Sequence, residues 1–136
     1  MSAPVEKVLN DFVLADPAVA GFVAARMYPV KLPPGAVFPA ITYFRVSADR
    51  AETLDGPAGR AAVRMQLSAW GQSYADAKNL AKALRLRLNG YRGPMTDGSD
   101  TVDVTRVSLI TENDLHDDAR EVFQVVLDFL IVQKED

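Results

Sequence analysis

The chain has 136 residues, 49% apolar and 24% charged, with a formal charge of −3 and no cysteine. A chain of this length buries about two thirds of its unfolded surface, enough for one core in one domain over residues 1–136, and its composition lies far from that of disordered sequences. The missing thiols exclude disulfide frameworks, thiolate metal sites and cysteine nucleophiles and fit a reducing compartment, while a pI near 5.1 argues against a surface built mainly to neutralise nucleic-acid phosphates.

Val5, Val8, Leu9, Phe12 and Val13 recur at spacings of three and four, which predicts a first helix beginning near Pro4 with one buried face. Glu6, Asp11 and Asp16 interrupt this segment and no basic leader precedes it, so it is not read as a secretory signal. No run approaches the roughly eighteen apolar residues that span a bilayer, so no membrane partner is expected and the chain is assigned to the cytosol of the cell that makes it. Asp16-Pro17 suits an N-cap and first helical position, predicting a short second helix through Val23.

Met27 to Val30 reads as a brief extended segment, and Leu32-Pro33-Pro34-Gly35 with Pro39 reads as a surface connection. From Ile41 to Gly71 the sequence predicts a hairpin: strand-like ITYFRVSA, a polar stretch DRAETLDGPAGRA, and strand-like AVRMQLSAWG. Hairpin loops ordinarily take two to five residues, so a loop of about a dozen implies a task at its tip, here contact with another protein. In the second strand Val63, Met65, Leu67 and Ala69 alternate with Arg64, Gln66, Ser68 and Trp70, giving one core face and one that is wet or shared.

Ser73 and Asp76 resemble a capping box and open the strongest helix, striped by Tyr74, Ala77, Leu80, Ala81, Leu84 and Leu88 and ended by Asn89-Gly90. Lys82, Arg85, Arg87 and Arg92 gather positive charge at its C-terminal end, either compensating the helix dipole or forming a basic rim. Pro94 to Asp100 reads as a turn-rich connection, with Asp97-Gly98-Ser99-Asp100 a turn rather than a metal loop because Val102 and Val104 fill later ligand positions. Thr101–Ile110 and Val122–Val132 read as strands joined by an acidic loop, TENDLHDDARE; the second is apolar on both faces and therefore central or shared with another subunit.

The only histidine, His116, lies among Glu112, Asp114, Asp117, Asp118 and Glu121. Two readings stand: a divalent-metal or acid–base site, or a solvated acidic loop whose spacing does not match a calcium loop. No Gly-x-Ser-x-Gly elbow, P-loop or dinucleotide fingerprint occurs. Trp70, on an otherwise polar face, is either an interface residue or packed beneath a neighbouring helix.

Taken in order, LADPAVAG, ARMYPVKLPPGAVFPAITYFRVS, ETLDGPAG and RAAVRMQLSAWGQSYADAKNLAKALRLRLNGYRG resemble the tail completion or tail terminator proteins of long-tailed bacteriophages and gene-transfer particles. The marks are Tyr28-Pro29, Pro39 with Ile41-Thr42-Tyr43, Leu54-Asp55-Gly56-Pro57 and the junction from Trp70 to Ala77; the likeness spans about Val5 to Val132 and is looser in the last third. It implies an α+β fold: a mostly antiparallel sheet, two main helices packed on one face, and a long hairpin arm. It further implies a structural virion protein without catalytic, cofactor-binding or metal-binding residues. Six copies would form a ring capping the head-proximal end of the tail tube, ending tube polymerisation and docking the head connector or stopper, with DNA crossing the lumen unread. Partner contacts are expected at Glu52, Thr53, Leu54, Asp55, Gly56 and Pro57, and a subunit-interface anchor at Trp70. A head–tail connector or stopper protein is the near alternative. An enzymatic or small-ligand-binding α+β domain is the distant one, and it requires His116 and its carboxylates to converge on a pocket.

Overall fold

A computed structural model describes residues 5–53 and 56–134, with side chains for all of these except 49–53 and 56–59. Its helices are α1 (Val5–Leu14), α2 (Pro17–Val23) and α3 (Tyr74–Leu88), and its strands β1 (Met27–Pro29), β2 (Ala40–Thr53), β3 (Gly56–Gly71), β4 (Gly93–Thr96), β5 (Thr101–Asp117) and β6 (Val122–Lys134). The strands form one six-stranded sheet in the order β1-β2-β3-β6-β5-β4, antiparallel except for the short β1–β2 pair. The fold is α+β, with a mixed, mostly antiparallel sheet.

Local chemistry sets the helix ends. Pro17 occupies the first turn of α2 behind Asp16, whose backbone is extended as an N-cap requires but whose side chain makes no capping bond. At α3 the Ser73 hydroxyl accepts the Asp76 N–H at 3.1 Å, satisfying one of the orphan donors of the first turn. Gly90, at φ +83°, takes the left-handed position after its end. Arg87 reaches from α3 to the Phe12 carbonyl with two N–H groups, at 3.0 and 2.7 Å, and lies 3.7 Å over the Phe12 ring, tying the last turn of α1 to α3.

The core joins Val5, Leu9 and Val13 of α1 and Leu80, Leu84 and Leu88 of α3 to Val63, Met65, Leu67 and Ala69 of β3 and Val125, Leu127, Phe129 and Ile131 of β6. Period-two alternation puts these strand residues on one side of the sheet. In β5 the inward series is broken twice: Val102 and Val104, then Val107 and Leu109, then Glu112, Asp114 and His116, with register shifts at Thr105 and Ile110. Each extra residue flips the parity of the residues after it.

Four sequence expectations change. The predicted hairpin loop of about a dozen residues is instead largely paired strand, with Glu52 opposite Pro57 and Thr53 opposite Gly56; Leu54 and Asp55 lie outside the described residues. The acidic TENDLHDDARE is mostly strand, because β5 runs to Asp117 and only residues 118–121 turn. Pro94 to Thr96, read as the start of a connection, lies in β4, which pairs with β5 as a four-residue edge strand, where proline is tolerated. Tyr74 leaves the predicted core stripe of α3 and is 49% exposed, while Ala83 joins it.

Candidate interaction surface

The β2–β3 ladder outruns the rest of the sheet. β6 pairs with β3 from Gly71 back to Arg60, opposite Lys134, whereas β2 follows β3 further, to Gly56. Among the described residues, the Gly56–Gly59 segment of β3 therefore has β2 as its one strand neighbour. Of the tip residues singled out by sequence, Glu52, Thr53, Gly56 and Pro57 lie in this paired extension, and Leu54 and Asp55 lie outside the described residues.

Trp70 sits about 14 residues from Gly56 along β3, so the structure does not bring it together with Glu52, Thr53, Gly56 or Pro57. It lies opposite Ala40, and its indole N–H donates to the Thr42 hydroxyl at 2.9 Å. It is on the side of the sheet away from the hydrophobic core, and no helix of the described residues shares buried side chains with that side. Two polar knots hold this surface. Gln124 donates to the Ser68 hydroxyl at 2.9 Å beside Trp70. Further along, Asp128 accepts from Arg64 Nη2 at 3.1 Å, Gln66 Nε2 at 3.1 Å and Thr111 Oγ1 at 3.2 Å, which crosslinks β3, β6 and β5. Around the knots Phe44, Val46, Ile110 and Leu115 are exposed. Sequence alternation identified this face; it gave no sign of the Asp128 knot, whose partners are 17 to 64 residues away.

The carboxylates around His116 do not converge. Glu112 pairs with Lys78 at 3.2 Å and Arg85 at 3.0 Å, and Asp114 accepts from Tyr74 Oη at 2.6 Å and Lys78 at 3.2 Å, so both are held by α3. The hydrogen bond from Tyr74, followed by that from Lys78, holds the Asp114 carboxyl below the usual carboxylate range, and the same contacts raise Lys78 and Tyr74. Asp117 is drawn down by the Arg120 backbone N–H and guanidinium in the turn. His116 Nδ1 lies 2.6 Å from Asp118 Oδ1, its ring against Phe123 at 4.8 Å. Among the described residues no group of three or more His, Asp or Glu could hold a metal ion. Of the predicted basic rim, Arg85 and Arg87 are spent inside the fold on Glu112 and Phe12.

The family model of the Tail completion protein gp17 matches residues 8–134, almost the whole chain. The chain belongs to this tail completion family. It is thus a structural protein of the virion tail and not an enzyme. Comparison with solved structures gives a chain from the virion of a native gene transfer agent particle, at a TM-score of 0.73 and 18% identity, covering 98% of this chain and 99% of that one. At that identity the likeness speaks for the fold. Comparison with curated proteins gave no match. The candidate surfaces of this tail completion protein are a paired strand extension and a side of the sheet left free by the helices.

Proposed function

We propose that this tail completion protein closes the head-proximal end of the tail, in a phage or gene-transfer particle, as a ring of six copies. The ring ends addition of tail-tube protein and presents the docking surface for the head connector or stopper, and DNA crosses its lumen without being read. The family match over residues 8–134 carries the reading. The geometry supports it: the β2–β3 extension can reach past its own subunit, and the exposed side of the sheet can line a contact or the lumen. The whole chain, 1–136, acts as one terminator-like domain with the hairpin as its arm.

In this reading, termination is a matter of shape. One face of the ring matches the last tube ring, and the other lacks whatever surface recruits the next. The arm, with Glu52, Thr53, Leu54, Asp55, Gly56 and Pro57 at its tip, makes the partner contact, and Trp70 anchors a subunit interface.

The test is to exchange Leu54-Asp55-Gly56-Pro57 for a single Asn-Gly turn, the preferred two-residue hairpin connection. The variant should fold with an unchanged circular dichroism spectrum and yet fail to complete tails, leaving tubes of uncontrolled length or heads without tails. Normal particles from the variant would refute a role for the arm. Tails of normal length that fail only to join heads would favour the connector or stopper reading.

A further inference from the structure

At one end of the β3-β6-β5-β4 part of the sheet, cations collect. Arg60 lies opposite Lys134, Arg106 lies opposite Val132 one strand over, and Arg92 immediately precedes β4. Together they line two adjoining cavities of about 370 and about 450 Å³, floored by Tyr91, Val104 and Val132. Among the described residues, the one acidic residue lining either cavity is Asp103. Among the described residues Arg60, Arg92 and Arg106 make no ion pair or hydrogen bond, in contrast to Arg26, Arg64, Arg85, Arg87 and Arg120, each of which has a partner within the chain. Thr105, the bulge residue that lines both cavities, has a buried hydroxyl without a partner. Three unpaired guanidinium groups in an acidic protein, beside a free hydroxyl donor, form a receptor for carboxylate or phosphate.

The opposite end of the same β5–β6 ladder is acidic. Its turn carries Asp117, Asp118 and Glu121; Arg120 neutralises Asp117, and the Asp118 side chain is 95% exposed. Asp117 is eleven positions beyond Arg106 along β5, so the two ends lie about 35 Å apart. Opposite charges at opposite ends of one ladder suit a head-to-tail contact between copies, of the kind that closes rings.

We infer that the groove lined by Arg60, Arg92 and Arg106 receives the Asp118–Glu121 turn of a second copy of this chain. The inference rests on the ring reading and supplies it with a specific mating pair of surfaces. The overall charge of −3 argues for this occupant over DNA, because the groove is a local exception in a chain that as a whole repels phosphate.

The experiment reverses each surface separately and then both: Arg60→Glu with Arg106→Glu, Asp118→Lys with Glu121→Lys, and all four changes in one chain. Mass is followed by light scattering at fixed protein concentration and low salt, and folding by circular dichroism. Each single-surface variant should fall from the mass of the wild-type ring toward that of one subunit, about a sixfold drop. The fourfold variant, with the charges exchanged, should recover the ring, as should an equal mixture of the two single-surface variants. Recovery also guards against misfolding as the cause of the loss. A wild-type ring that persists in both single-surface variants would overturn this pairing and leave the ring reading standing. Loss of double-stranded DNA binding in the arginine variant with unchanged mass would overturn it in favour of phosphate. A wild-type protein that is monomeric both in solution and on tube ends would overturn the ring reading and this pairing with it.

Discussion

Asp128 offers a quantitative check on the side of the sheet that the helices leave free. Its carboxylate is the common acceptor for Arg64, Gln66 and Thr111, and its side chain is 13% exposed against 41% for Arg64. Hydrogen bonds to a charged group contribute about 1.5–3 kcal/mol each in favourable cases, but Arg64, Gln66 and Thr111 can partly recover water, so the sum must be discounted. Arg64 Nε is already buried without a partner, which limits how far that guanidinium can turn outward. We expect Asp128→Ala to cost about 2–4 kcal/mol, a fall in Tm of about 6–12 °C for a domain of this size. Arg64→Ala should cost less, because Asp128 keeps two of its three donors, and the double variant should show a coupling of about 1–2 kcal/mol. Urea unfolding followed by the fluorescence of Trp70, the only tryptophan, measures all three at fixed protein concentration. A loss below about 0.5 kcal/mol for Asp128→Ala, or a larger loss for Arg64→Ala, would refute the reasoning.

Three further outcomes are expected. A Cβ at Gly71 would stand 2.6 Å from the Ala77 backbone nitrogen, so Gly71→Ala must push α3 off the end of β3 and should cost about 2 kcal/mol or more, seen as a lower urea midpoint. Ser73→Ala removes the N-cap acceptor of α3 and should cost about 1 kcal/mol, with Ser73→Asp restoring most of it. The lowered Asp114 carboxyl contributes stability that is present above the unfolded carboxylate pKa near 3.8 and is lost as pH falls through its lower folded value. Raised Lys78 and Tyr74 contribute stability that is present below about pH 10 and lost as pH rises through their folded values. Asp114→Asn should therefore flatten the acid limb of a Tm-against-pH curve relative to wild type, and an unchanged acid limb would argue that the contact with α3 is not maintained.

What the sequence makes legible is what a short window can hold. The stripe and cap of α3 and the strict alternation of β3 are local patterns, and both elements lie where those patterns place them. β5 is half legible, because two bulges reverse its parity and its later inward residues are Glu112 and Asp114, which read as loop until Lys78 and Arg85 of α3 are seen to receive them. The hairpin loop misleads for a related reason. DRAETLDGPAGRA has turn-like composition, yet the ladder carries pairing through it to Thr53 and Gly56. Pro94 to Thr96 reads as the start of a connection and lies in an edge strand, since the free side of an edge tolerates a proline. The basic groove is invisible in the sequence because Arg60, Arg92, Arg106 and Lys134 are far apart along the chain and are brought together by strand pairing.

A protein whose task is assembly has no reaction to betray it, so its working residues must be sought among groups the fold does not use. The distinction can be drawn here for the charged groups. Arg85 and Arg87 are consumed in holding α3 to β5 and α1, and Arg64 in crosslinking strands, so their replacement should act through stability. Arg60 and Arg106 stand near one end of the β3–β6 and β5–β6 ladders, Arg92 just before β4, and Asp118 and Glu121 in the turn at the other end, outside the hydrophobic core, so their replacement leaves the core untouched. Trp70 falls between the classes. Its N–H is committed to Thr42, which is only 6% exposed, while its ring is only partly buried by its own subunit. Trp70→Phe gives up the hydrogen bond and keeps most of the ring, so it should cost about 1 kcal/mol of stability and little assembly. Trp70→Ala gives up both. If the ring anchors a subunit interface, Trp70→Ala must weaken assembly at protein concentrations where its folded population equals that of the phenylalanine variant, and equal assembly by the two would confine Trp70 to a structural role.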